Sequence, residues 1–370
     1  MLQVARQLRA AGVIGLNERN SDFIMRLNPR RLYPRVDDKV LTKKLALEAG
    51  MAVPDLYGVI DNQGAVRNFA DIVRDHESFV IKPAAGSGGD GILVITGRSA
   101  RKRDSFRLSS GVLITEDEIL YHLSNIVGGQ YSLSGNPDKA LIEYCVRFDP
   151  VFAEVSYQGV PDIRVVVYRG YPAMAMVRLP TRASDGKANL HQGAVGAGID
   201  MGTGVTQNGV LDNQVVDEHP DTGALVAGLE IPQWEFILES SAKGYEVTGL
   251  GYLGVDMVID RDRGPLILEM NARPGLNIQI ANGTGLADRI ERIDELYDPS
   301  ASPSARAAVA RQEFKLAREP ERRRLVCRHP AVHASLEQVE WQSPGAQQFV
   351  VEGPNIKSVP ELDFCATAQL

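Results

Sequence analysis

The chain has 370 residues, of which 44% are hydrophobic, and its formal net charge is −7 at pH 7. This length is enough for two or three domains, or for one composite domain with an ordinary buried core. The negative net charge excludes a general electrostatic attraction to nucleic acid or to an anionic membrane surface.

The first 35 residues are predicted to form a short amphipathic helix followed by an irregular polar segment. The helix is interrupted by Arg6 and Arg9, so it lacks the apolar centre of a signal peptide. No later segment approaches the ~20 apolar residues of a membrane-spanning helix. The cysteines (Cys145, Cys327 and Cys365) have neither disulfide nor metal-binding spacing, which favours a reducing compartment. We therefore expect a cytoplasmic protein without a membrane span and without a nucleic-acid partner.

Residues 36–50 carry the clearest helical pattern of the N-terminal half. Asp37 or Asp38 is a suitable N-cap for this helix, and Gly50 is a suitable end. The predicted apolar face comprises Val40, Leu41, Leu45 and Leu47.

Short apolar segments and amphipathic segments follow through the rest of the core. Extended segments or strands are predicted at residues 53–60, 79–83, 92–96, 140–146, 162–168 and 171–178. Helices are predicted at residues 69–74, 116–126, 232–243 and 286–296, and the last of these is the final core helix. From Tyr297 a Pro/Ser linker leads to a basic helical stretch and then to a polar tail. The basic stretch, residues 301–330, has eight Lys or Arg against three Glu.

Two carboxylates and an amide converge on a hairpin predicted near the end of the core. The apolar segments 255–259 and 266–268 are joined by five residues of turn composition. Pairing these segments brings Asp256 towards Glu269 and Asn271, and the last two share one strand face because side chains alternate. Hard oxygen ligands of this kind suit Mg²⁺, which often completes its shell with substrate phosphates. The hairpin therefore predicts a metal site that works with a nucleotide.

A glycine-rich loop between two strands is the second candidate binding feature. Strand 79–83 contains Lys82, and residues 84–91 contain four glycines that let backbone N–H groups approach phosphate oxygens. The order strand, loop, strand excludes a Walker loop and a dinucleotide fingerprint, because both of these open a helix. A plain hairpin connection is the alternative. An ammonium group in an apolar strand needs an anion, so Lys82 favours phosphate binding, and Lys39 is a second candidate.

Polar residues also interrupt two of the apolar strands. Glu143 is either an edge-strand carboxylate with its head in solvent or a group placed near the exocyclic amine of adenine. Asp162 and Arg164 share a strand face, which allows a structural ion pair. The alternative is that Arg164 meets a transferring phosphate, where a fixed guanidinium stabilises developing charge.

The polar face extends through Arg178 and through a short segment that contains Asn189 and His191. His191 is either an acid–base group or, more commonly for a lone histidine, a positioning hydrogen-bond donor. Arg273 follows the hairpin and is a candidate to receive a substrate carboxylate or a phosphate.

In this order the motifs resemble those of ATP-grasp carboxylate–amine ligases, above all the α-L-glutamate ligase-like (RimK-related) branch. The specific motifs are Asp162-Ile-Arg, Asn189-Leu-His-Gln-Gly and Glu269-Met-Asn-Ala-Arg-Pro-Gly. The resemblance implies an α+β protein of the ATP-grasp fold, in which two α+β subdomains clasp ATP. The implied divisions are a reduced N-terminal segment (1–35), a lid subdomain with the adenine strand (36–146), a metal-binding subdomain (147–296) and a C-terminal extension (297–370).

The resemblance also implies roles for individual residues. The ATP-binding set would comprise Lys39, Lys82, the lid residues Gly86, Ser87, Gly88 and Gly89, and Glu143, Tyr144 and Cys145 around adenine. The metal set would comprise Asp256, Glu269 and Asn271, which would bind two Mg²⁺ ions, with Mn²⁺ as an alternative. The catalytic set would comprise Arg164 and Asn189 near an acyl phosphate, together with Arg273.

The implied activity is ATP- and Mg²⁺-dependent formation of an amide bond. A small-molecule or peptide carboxylate would be activated as an acyl phosphate and joined to the amine of an amino acid, with glutamate favoured. The alternatives are a small-molecule kinase of the same fold and a non-catalytic, nucleotide-binding regulatory subunit. Because the N-terminal segment is short for such a ligase, we expect part of the substrate pocket to be missing, to be rebuilt by the C-terminal tail or to be supplied by a partner. We also expect a homo-oligomer or a partner protein.

Overall fold

The structure is a computed structural model that describes residues 2–86, 88–99, 104–132 and 135–316. Ser87 of the glycine-rich loop lies outside the described residues, as do the polar tail and the part of the basic stretch from residue 317 onward. Within the described ranges the chain forms an α+β structure with two antiparallel sheets. No helix in those ranges is both long enough and apolar enough to cross a lipid bilayer.

The elements of the described ranges are numbered in chain order. The strands are β1 (Leu56–Ile60), β2 (Phe79–Pro83), β3 (Leu93–Arg98), β4 (Ser105–Leu108), β5 (Leu113–Thr115), β6 (Ala140–Tyr144), β7 (Asp162–Tyr168), β8 (Tyr171–Leu179), β9 (Val195–Ile199), β10 (Thr206–Leu211), β11 (Gln214–Val216), β12 (Tyr252–Asp260) and β13 (Gly264–Asn271). The helices are α1 (Leu2–Ala10), α2 (Leu16–Glu18), α3 (Met25–Leu27), α4 (Pro34–Asp37), α5 (Lys39–Glu48), α6 (Phe69–Ile72), α7 (Glu116–Val127), α8 (Trp234–Thr248), α9 (Asn277–Ala281), α10 (Ala287–Leu296) and α11 (Pro303–Glu313).

The first sheet has six strands in the order β1-β6-β2-β3-β4-β5. Helices α6 and α7 pack on it and enclose an apolar core of their own. Three rings of this core, Phe69, Phe79 and Phe106, meet edge to face with centroids 5.7–5.8 Å apart. Strand β2 has the bounds predicted from its apolar sequence, and this sheet therefore holds Lys82 at a fixed position.

The second sheet has seven strands in the order β11-β10-β9-β8-β7-β12-β13. One of its faces packs on helix α8, where Gly244 allows a close approach. A Cβ at Gly244 would lie 3.3 Å from the side chains of Leu253 and Val255. The predicted apolar face of this helix is buried and comprises Trp234, Ile237 and Leu238.

The opposite face of the second sheet carries charged residues. Asp256 on β12 stands opposite Arg164 on β7 and Glu269 on β13, so the three side chains project from one face. Asp162 on β7 stands opposite Arg178 on β8 in the same way. The pairing of four neighbouring strands thus collects residues that are far apart in sequence.

The N-terminal segment packs across the far end of this charged face. The ring of Phe23 contacts the rings of Tyr168 and Tyr252, with centroid distances of 5.9 and 5.6 Å. The expectation of an irregular polar segment was wrong, because Arg19–Ile24 forms a π-helix between two short α-helical turns. Phe23 and Ile24 are adjacent and give no α-helical period in the sequence, yet both are buried in the core.

The predicted helix at 36–50 is divided into α4 and α5 by Asp38, which caps α5 as expected. Its buried face differs from the predicted one. Leu47 is 55% exposed, whereas Lys43 is 6% exposed and lies on the inner face. The apolar pattern failed here because Lys43 has an internal carboxylate partner, which is described below.

Helix α11 extends the folded core beyond the helix that was predicted to be the last. Ala307 and Ala310 are buried against the core of the second sheet. Arg306, which is 2% exposed, forms an ion pair with Glu246 of α8. The basic composition of this stretch did not predict a contact with the core. The contact is possible because Arg306 is buried in its ion pair with Glu246.

Asn28 joins the N-terminal segment to the hairpin that carries the predicted metal ligands. Its Nδ2 donates to the carbonyl oxygens of Tyr252 and Ala272, at 2.6 and 2.8 Å. Its Oδ1 accepts from the Tyr252 N–H at 3.0 Å. Because Asn28 is buried, water could not take over its hydrogen bonds to these backbone groups.

Substitution of Asn28 by Ala should lower the free energy of unfolding by roughly 3 kcal/mol, because it leaves three buried backbone groups without a partner. Urea denaturation of Asn28→Ala measures this loss. The control is Asn68→Ala, at an exposed residue whose side chain makes no capping bond. Equal losses in the two variants would contradict the linking role of Asn28.

Candidate functional site

A narrow cleft opens where helix α5, strand β2 of the first sheet and edge strand β13 of the second sheet meet. The N–H of Ile267 donates to the carbonyl of Ala52 at 2.9 Å, which holds β13 beside the segment that leads to β1. Three residues predicted from the sequence, Lys39, Lys82 and Glu269, line this one cleft. The full lining comprises Lys39, Thr42, Lys43, Ala46, Val53, Lys82, Ile267, Leu268 and Glu269.

Lys39 connects the glycine-rich loop to the hairpin. It is the first residue of α5 because Asp38 accepts hydrogen bonds from two backbone N–H groups of the first turn, at 2.9 and 3.1 Å. The Nζ of Lys39 donates to the carbonyl of Gly86 at 2.7 Å and lies 3.9 Å from Oε1 of Glu269. One ammonium group therefore contacts both of the predicted binding features.

The glycine-rich loop is anchored at both ends. At its start the N–H of Ala85 donates to the two carboxylate oxygens of Asp138, at 3.1 and 3.0 Å. At its end a hydrogen bond of 2.8 Å joins Nε2 of His122 to the carbonyl of Gly91. Of the predicted lid residues, Gly86, Gly88 and Gly89 lie in the described part of the loop, between these two anchors.

Glu143 binds two ammonium groups at the inner end of the cleft. Its Oε1 lies 2.5 Å from Nζ of Lys82, and its Oε2 lies 2.8 Å from Nζ of Lys43. The three side chains are each 7% exposed or less. Of the two alternatives for Glu143, the edge-strand carboxylate in solvent is excluded, because β6 lies between β1 and β2 in the sheet, and a contact of Glu143 with adenine stays a prediction. The carboxylate of Glu143 is thus the internal partner of Lys82 and Lys43.

Burial and ion pairing act in opposite directions on this cluster. Burial raises the pKa of Glu143, but the charges of Lys82 and Lys43 outweigh it and hold that pKa below its ordinary value. Burial lowers the pKa of Lys43, and Glu143 opposes this change. With both lysines protonated, the cluster has one positive charge in excess, which suits an incoming phosphate.

A second ion network is built on Asp256 in the second sheet. Arg164 donates from Nε to Oδ1 of Asp256 at 2.7 Å and from Nη2 to Oδ2 at 2.5 Å. Arg178 donates from Nη2 to the same Oδ2 at 3.0 Å, and from Nε to Oδ1 of Asp162 at 2.5 Å. Of the two alternatives for this strand face, the ion pair of Asp162 with Arg164 does not form, because each aspartate pairs with the arginine directly opposite it on the neighbouring strand.

The two aspartates of this network have different acidities. Burial acts to raise the pKa of Asp256, but the guanidinium groups of Arg164 and Arg178 hold it at about 2. Burial raises the pKa of Asp162 to about 6, against the opposing charge of Arg178. Asp256 is therefore the permanent anion that keeps both arginines in place.

The three predicted metal ligands lie together, although they are not equally free to bind an ion. Nδ2 of Asn271 donates to Oδ2 of Asp256 at 3.2 Å, which leaves Oδ1 of Asn271 as an acceptor. The Glu269 side chain is 36% exposed in the cleft. Asp256, by contrast, accepts four hydrogen bonds from Arg164, Arg178 and Asn271.

Glu269 and Oδ1 of Asn271 accordingly match the hard oxygen donors that Mg²⁺ prefers. Asp256 can join them only by giving up a contact to an arginine. Within the described ranges no group of three or more His, Cys, Asp or Glu residues has the arrangement of a metal site. A divalent ion here would therefore depend on few protein ligands and on oxygens of its substrate.

The predicted adenine strand, β6, ends beside the tip of the hairpin. The hydroxyl of Tyr144 donates to Oδ2 of Asp260 at 3.1 Å, and the guanidinium carbon of Arg263 lies 3.8 Å from the centre of the Tyr144 ring. Cys145 is buried, and burial raises the pKa of its thiol to about 11. It is therefore not an activated nucleophile. Contact of these two residues with adenine stays a prediction.

Asn189 and His191 lie in a short turn that packs on strand β9 through Leu190. Oδ1 of Asn189 accepts from the N–H of His191 at 3.0 Å and caps a short 3₁₀ turn. Leu190 of this turn packs over Gly196, where a Cβ would lie 2.7 Å from its Cδ2, and Gly196 stands opposite Arg178. The side chain of Asn189 is thus engaged locally, and His191 is exposed.

Arg273 follows the hairpin and lies beside the N-terminal segment. Its Nη2 is 3.5 Å from Oδ1 of Asp37, and its guanidinium carbon is 5.0 Å from the centre of the Tyr33 ring. The side chain is 52% exposed, so it can still receive an anion. Its contact with a substrate stays a prediction.

Sequence reasoning assigned no site role to Lys43. The signal was present, because Lys43 follows Lys39 by four residues and therefore lies on the same face of α5. The apolar positions predicted for this helix lie on a different face, so Lys43 was not expected to be buried. The neighbouring Lys44 shows the contrast, since it is 70% exposed and pairs only with Glu48 within the described residues.

Residues 18–295 match the family model described as sugar-transfer associated ATP-grasp. The chain belongs to this ATP-grasp family. The prediction of an ATP-grasp fold is thereby confirmed, and the matched range begins inside the segment that was expected to be a reduced N-terminus. Comparison with curated proteins gives no match.

Several solved structures are similar to this chain at low sequence identity. The ATP-grasp ligase PsnB complexed with a minimal precursor is 15% identical, with 73% of this chain and 62% of that chain covered and a TM-score of 0.37. D-alanine–D-alanine ligase from Bacillus anthracis is 14% identical, with 76% and 70% covered and a TM-score of 0.39. A RimK domain ATP-grasp protein from Sphaerobacter thermophilus is 14% identical, with 72% and 70% covered and a TM-score of 0.39. The chain thus spans less than two thirds of the length of PsnB.

Substitution of Glu143 by Gln should lower the free energy of unfolding by about 3–5 kcal/mol, because it leaves two buried ammonium groups without a counter-ion. Adding Lys43→Met should recover part of this loss, with a coupling of about 1 kcal/mol or more in a double-mutant cycle measured by urea denaturation. Glu48→Gln, at an exposed partner of Lys44, is the control and should change the stability by less than about 0.5 kcal/mol. Purely additive effects of the Glu143 and Lys43 substitutions would show that the buried cluster is not coupled.

The acid sensitivity of the fold should depend on Asp256. Its folded-state pKa of about 2 is below the ordinary value of 3.8, so its contribution to stability is complete above about pH 4 and is lost as the pH falls through 2. Asp256→Asn should be less stable than wild type at pH 7, but its stability should fall less steeply between pH 5 and pH 3. Urea denaturation across this range tests the slope, with the exposed Asp75→Asn as control. A variant slope equal to that of wild type would contradict the assignment.

Proposed function

We propose that this chain is an ATP-dependent ligase that activates a carboxylate as an acyl phosphate and joins it to an amine. The observation that carries the proposal is the cleft in which Lys39, Lys82 and Glu269 line one space, in a chain of an ATP-grasp family. Two ammonium groups would bind phosphates, and one partly exposed carboxylate would bind the accompanying cation. Other enzymes that transfer a phosphoryl group from ATP also place lysine and a bound metal ion at the phosphates.

In this proposal Lys39 and Lys82 bind the phosphates of ATP. Lys82 would turn from Glu143 to the phosphate, and Lys43 would remain as the counter-ion of Glu143, so that no buried carboxylate loses its partner. The glycine-rich loop, residues 84–91, would cover the phosphates with its backbone N–H groups. Its closure would keep water from the acyl phosphate. The backbone of Tyr144 and Cys145 is the proposed adenine contact, as the sequence motif implies.

Glu269 and Asn271 are the proposed ligands of Mg²⁺, and Asp256 is the third candidate. The ion, when bound, would neutralise negative charge on the phosphate oxygens. Asp256 has a second task that its contacts support more directly, which is to hold Arg164 and Arg178. A second ion, and Mn²⁺ in place of Mg²⁺, stay predictions.

Arg164 is the proposed stabiliser of charge on the transferring group. Its Nε and Nη2 are both bound to Asp256, which fixes the plane of the guanidinium. Within the described residues its Nη1 has no recorded hydrogen bond, so this nitrogen is left for phosphoryl oxygens. Asn189 and Arg273 are proposed to contact the substrate.

The chemical steps need no nucleophile from the protein. A carboxylate oxygen of the acid substrate would attack the γ-phosphorus of ATP, and ADP would leave with the bridging oxygen. The amine would then attack the carbonyl carbon, phosphate would leave with the acyl oxygen, and the amine would lose a proton to solvent. The protein would contribute position and fixed charge. Glutamate is the proposed amine, and this choice depends only on the resemblance of the sequence motifs to those of glutamate ligases.

A small-molecule kinase is the second candidate of the same fold. Recognition of a highly phosphorylated alcohol would need a dense group of free cations. Arg164 and Arg178 are instead bound to Asp256 and Asp162, which favours the ligase. A purely regulatory nucleotide-binding role is the third candidate, and a failure to form ADP in the assay below would favour it.

The test is ADP formation by the full chain with MgATP and a panel of carboxylates, each combined with a panel of amino acids. A ligase releases free phosphate only when acid and amine are both present, whereas a kinase retains the phosphate on an alcohol. Glu269→Ala should reduce the rate by at least about 100-fold, in line with the loss of a metal ligand. The control Glu291→Ala, at an exposed residue of α10, should retain the wild-type rate. An unchanged rate in Glu269→Ala would refute the metal assignment, and retained phosphate would refute the ligase.

A further inference from the structure

Arg19 reaches the backbone beside Arg273, where strand β13 ends. Nη1 of Arg19, in the N-terminal segment, donates to the carbonyl of Pro274 at 3.1 Å, and Arg273 is the residue before Pro274. This backbone turns back over β12, because a Cβ at Gly254 would lie 2.9 Å from Cβ of Pro274. Gly254 in turn stands opposite Asn271. Pro274 therefore lies at the charged face that carries Asp256 and Asn271, with Arg19 bound to its carbonyl and Arg273 next to it in the chain.

The positive charge of this pair is poorly balanced. The recorded partners of Arg19 in the described residues are the Pro274 carbonyl and the amide oxygen of Asn20, and both are uncharged. Arg273 has one carboxylate near it, Asp37, at 3.5 Å. Burial lowers the pKa of Arg19, and the neighbouring charge of Arg273 lowers it further, against an opposing effect of Tyr252. Two like charges held together at a half-buried position indicate a place for an anion.

The backbone that presents Arg19 is itself unusual. Arg19 is the first residue of the π-helix Arg19–Ile24, and Phe23 in that helix is packed on the rings of Tyr168 and Tyr252. π-Helical turns are rare and are frequently found at functional sites. Here the apolar side of the turn is fixed on the sheet, while its first residue points to Pro274. The position of Arg19 is thus determined by the core.

We propose that Arg19 and Arg273 together bind a carboxylate group of the substrate that is not the one being activated. The ligand class is a dicarboxylate, or an amino acid held by its own α-carboxylate. This inference rests on the proposed ligase function and deepens it. It also assigns a role to the N-terminal segment, which supplies one wall of the substrate pocket from within the chain.

The experiment is calorimetric titration of the full chain with glutarate, in the absence of nucleotide. Wild type should bind glutarate, and Arg19→Gln should weaken the binding by about tenfold or more, as expected for the loss of one charge-assisted hydrogen-bonding group. Arg19→Lys should retain part of the affinity, because it keeps the charge. The matched control is Arg26→Gln, at an exposed arginine of the same segment, and it should bind as wild type does.

Three results would overturn this assignment. They are failure of wild type to bind glutarate, equal binding by wild type and Arg19→Gln, and tighter binding of inorganic phosphate than of glutarate. Thermal unfolding shows whether each variant is folded. If Arg19→Gln is not folded, the glutarate affinity of Arg19→Lys is compared with that of wild type instead. Once the ADP assay has found a substrate, Arg19→Gln should raise KM more than it lowers kcat, because the contact lies away from the reacting atoms.

The two proposals fail in different ways. ADP formation with a carboxylate, together with glutarate binding that ignores Arg19, would refute the arginine site and leave the ligase. Glutarate binding that depends on Arg19, without ADP formation from any carboxylate, would refute the ligase and leave an anion site of the stated chemistry.

Discussion

Buried cations need internal counter-ions, and this requirement organises the whole candidate site. Asp256 holds two guanidinium groups on the second sheet, and Glu143 holds two ammonium groups at the inner end of the cleft. Each carboxylate is itself almost fully buried, so removal of either one would leave charges with no solvent to screen them. The two arginines and the two lysines of these networks are therefore held in place by the protein itself.

The two ion networks differ in how easily one of their cations could exchange its partner. Asp256 is enclosed by four hydrogen bonds from strands on both sides, which makes it a rigid support for Arg164. Glu143 has two lysines from different elements, helix α5 and strand β2. In the proposed function Lys82 moves to a phosphate while Lys43 stays with Glu143. The proposal thus uses Arg164 as a fixed cation and Lys82 as a cation that exchanges its partner.

Much of the site was predictable, because its signals are local. The alternation of side chains in 266–271 placed Glu269 and Asn271 on one face, and an ammonium group in an apolar strand marked Lys82. The ion pairs were less accessible, since the partners of Asp162 and Asp256 depend on the strand order β8-β7-β12, which connects distant parts of the sequence. Lys43 was missed because a buried lysine contradicts an apolar pattern unless its partner is known.

The glycines of the loop over the cleft set different limits on how this chain can diverge. At Gly91, φ is +77° and a Cβ would lie 2.6 Å from the ring of Tyr131, so a side chain there requires a smaller residue at position 131 first. At Gly88, φ is +68° but the space around it is open within the described residues. Backbone conformation alone limits that position, and Asn is the natural replacement. Substitution of Gly88 should therefore need no change elsewhere in the described residues, whereas substitution of Gly91 should need a smaller residue at position 131.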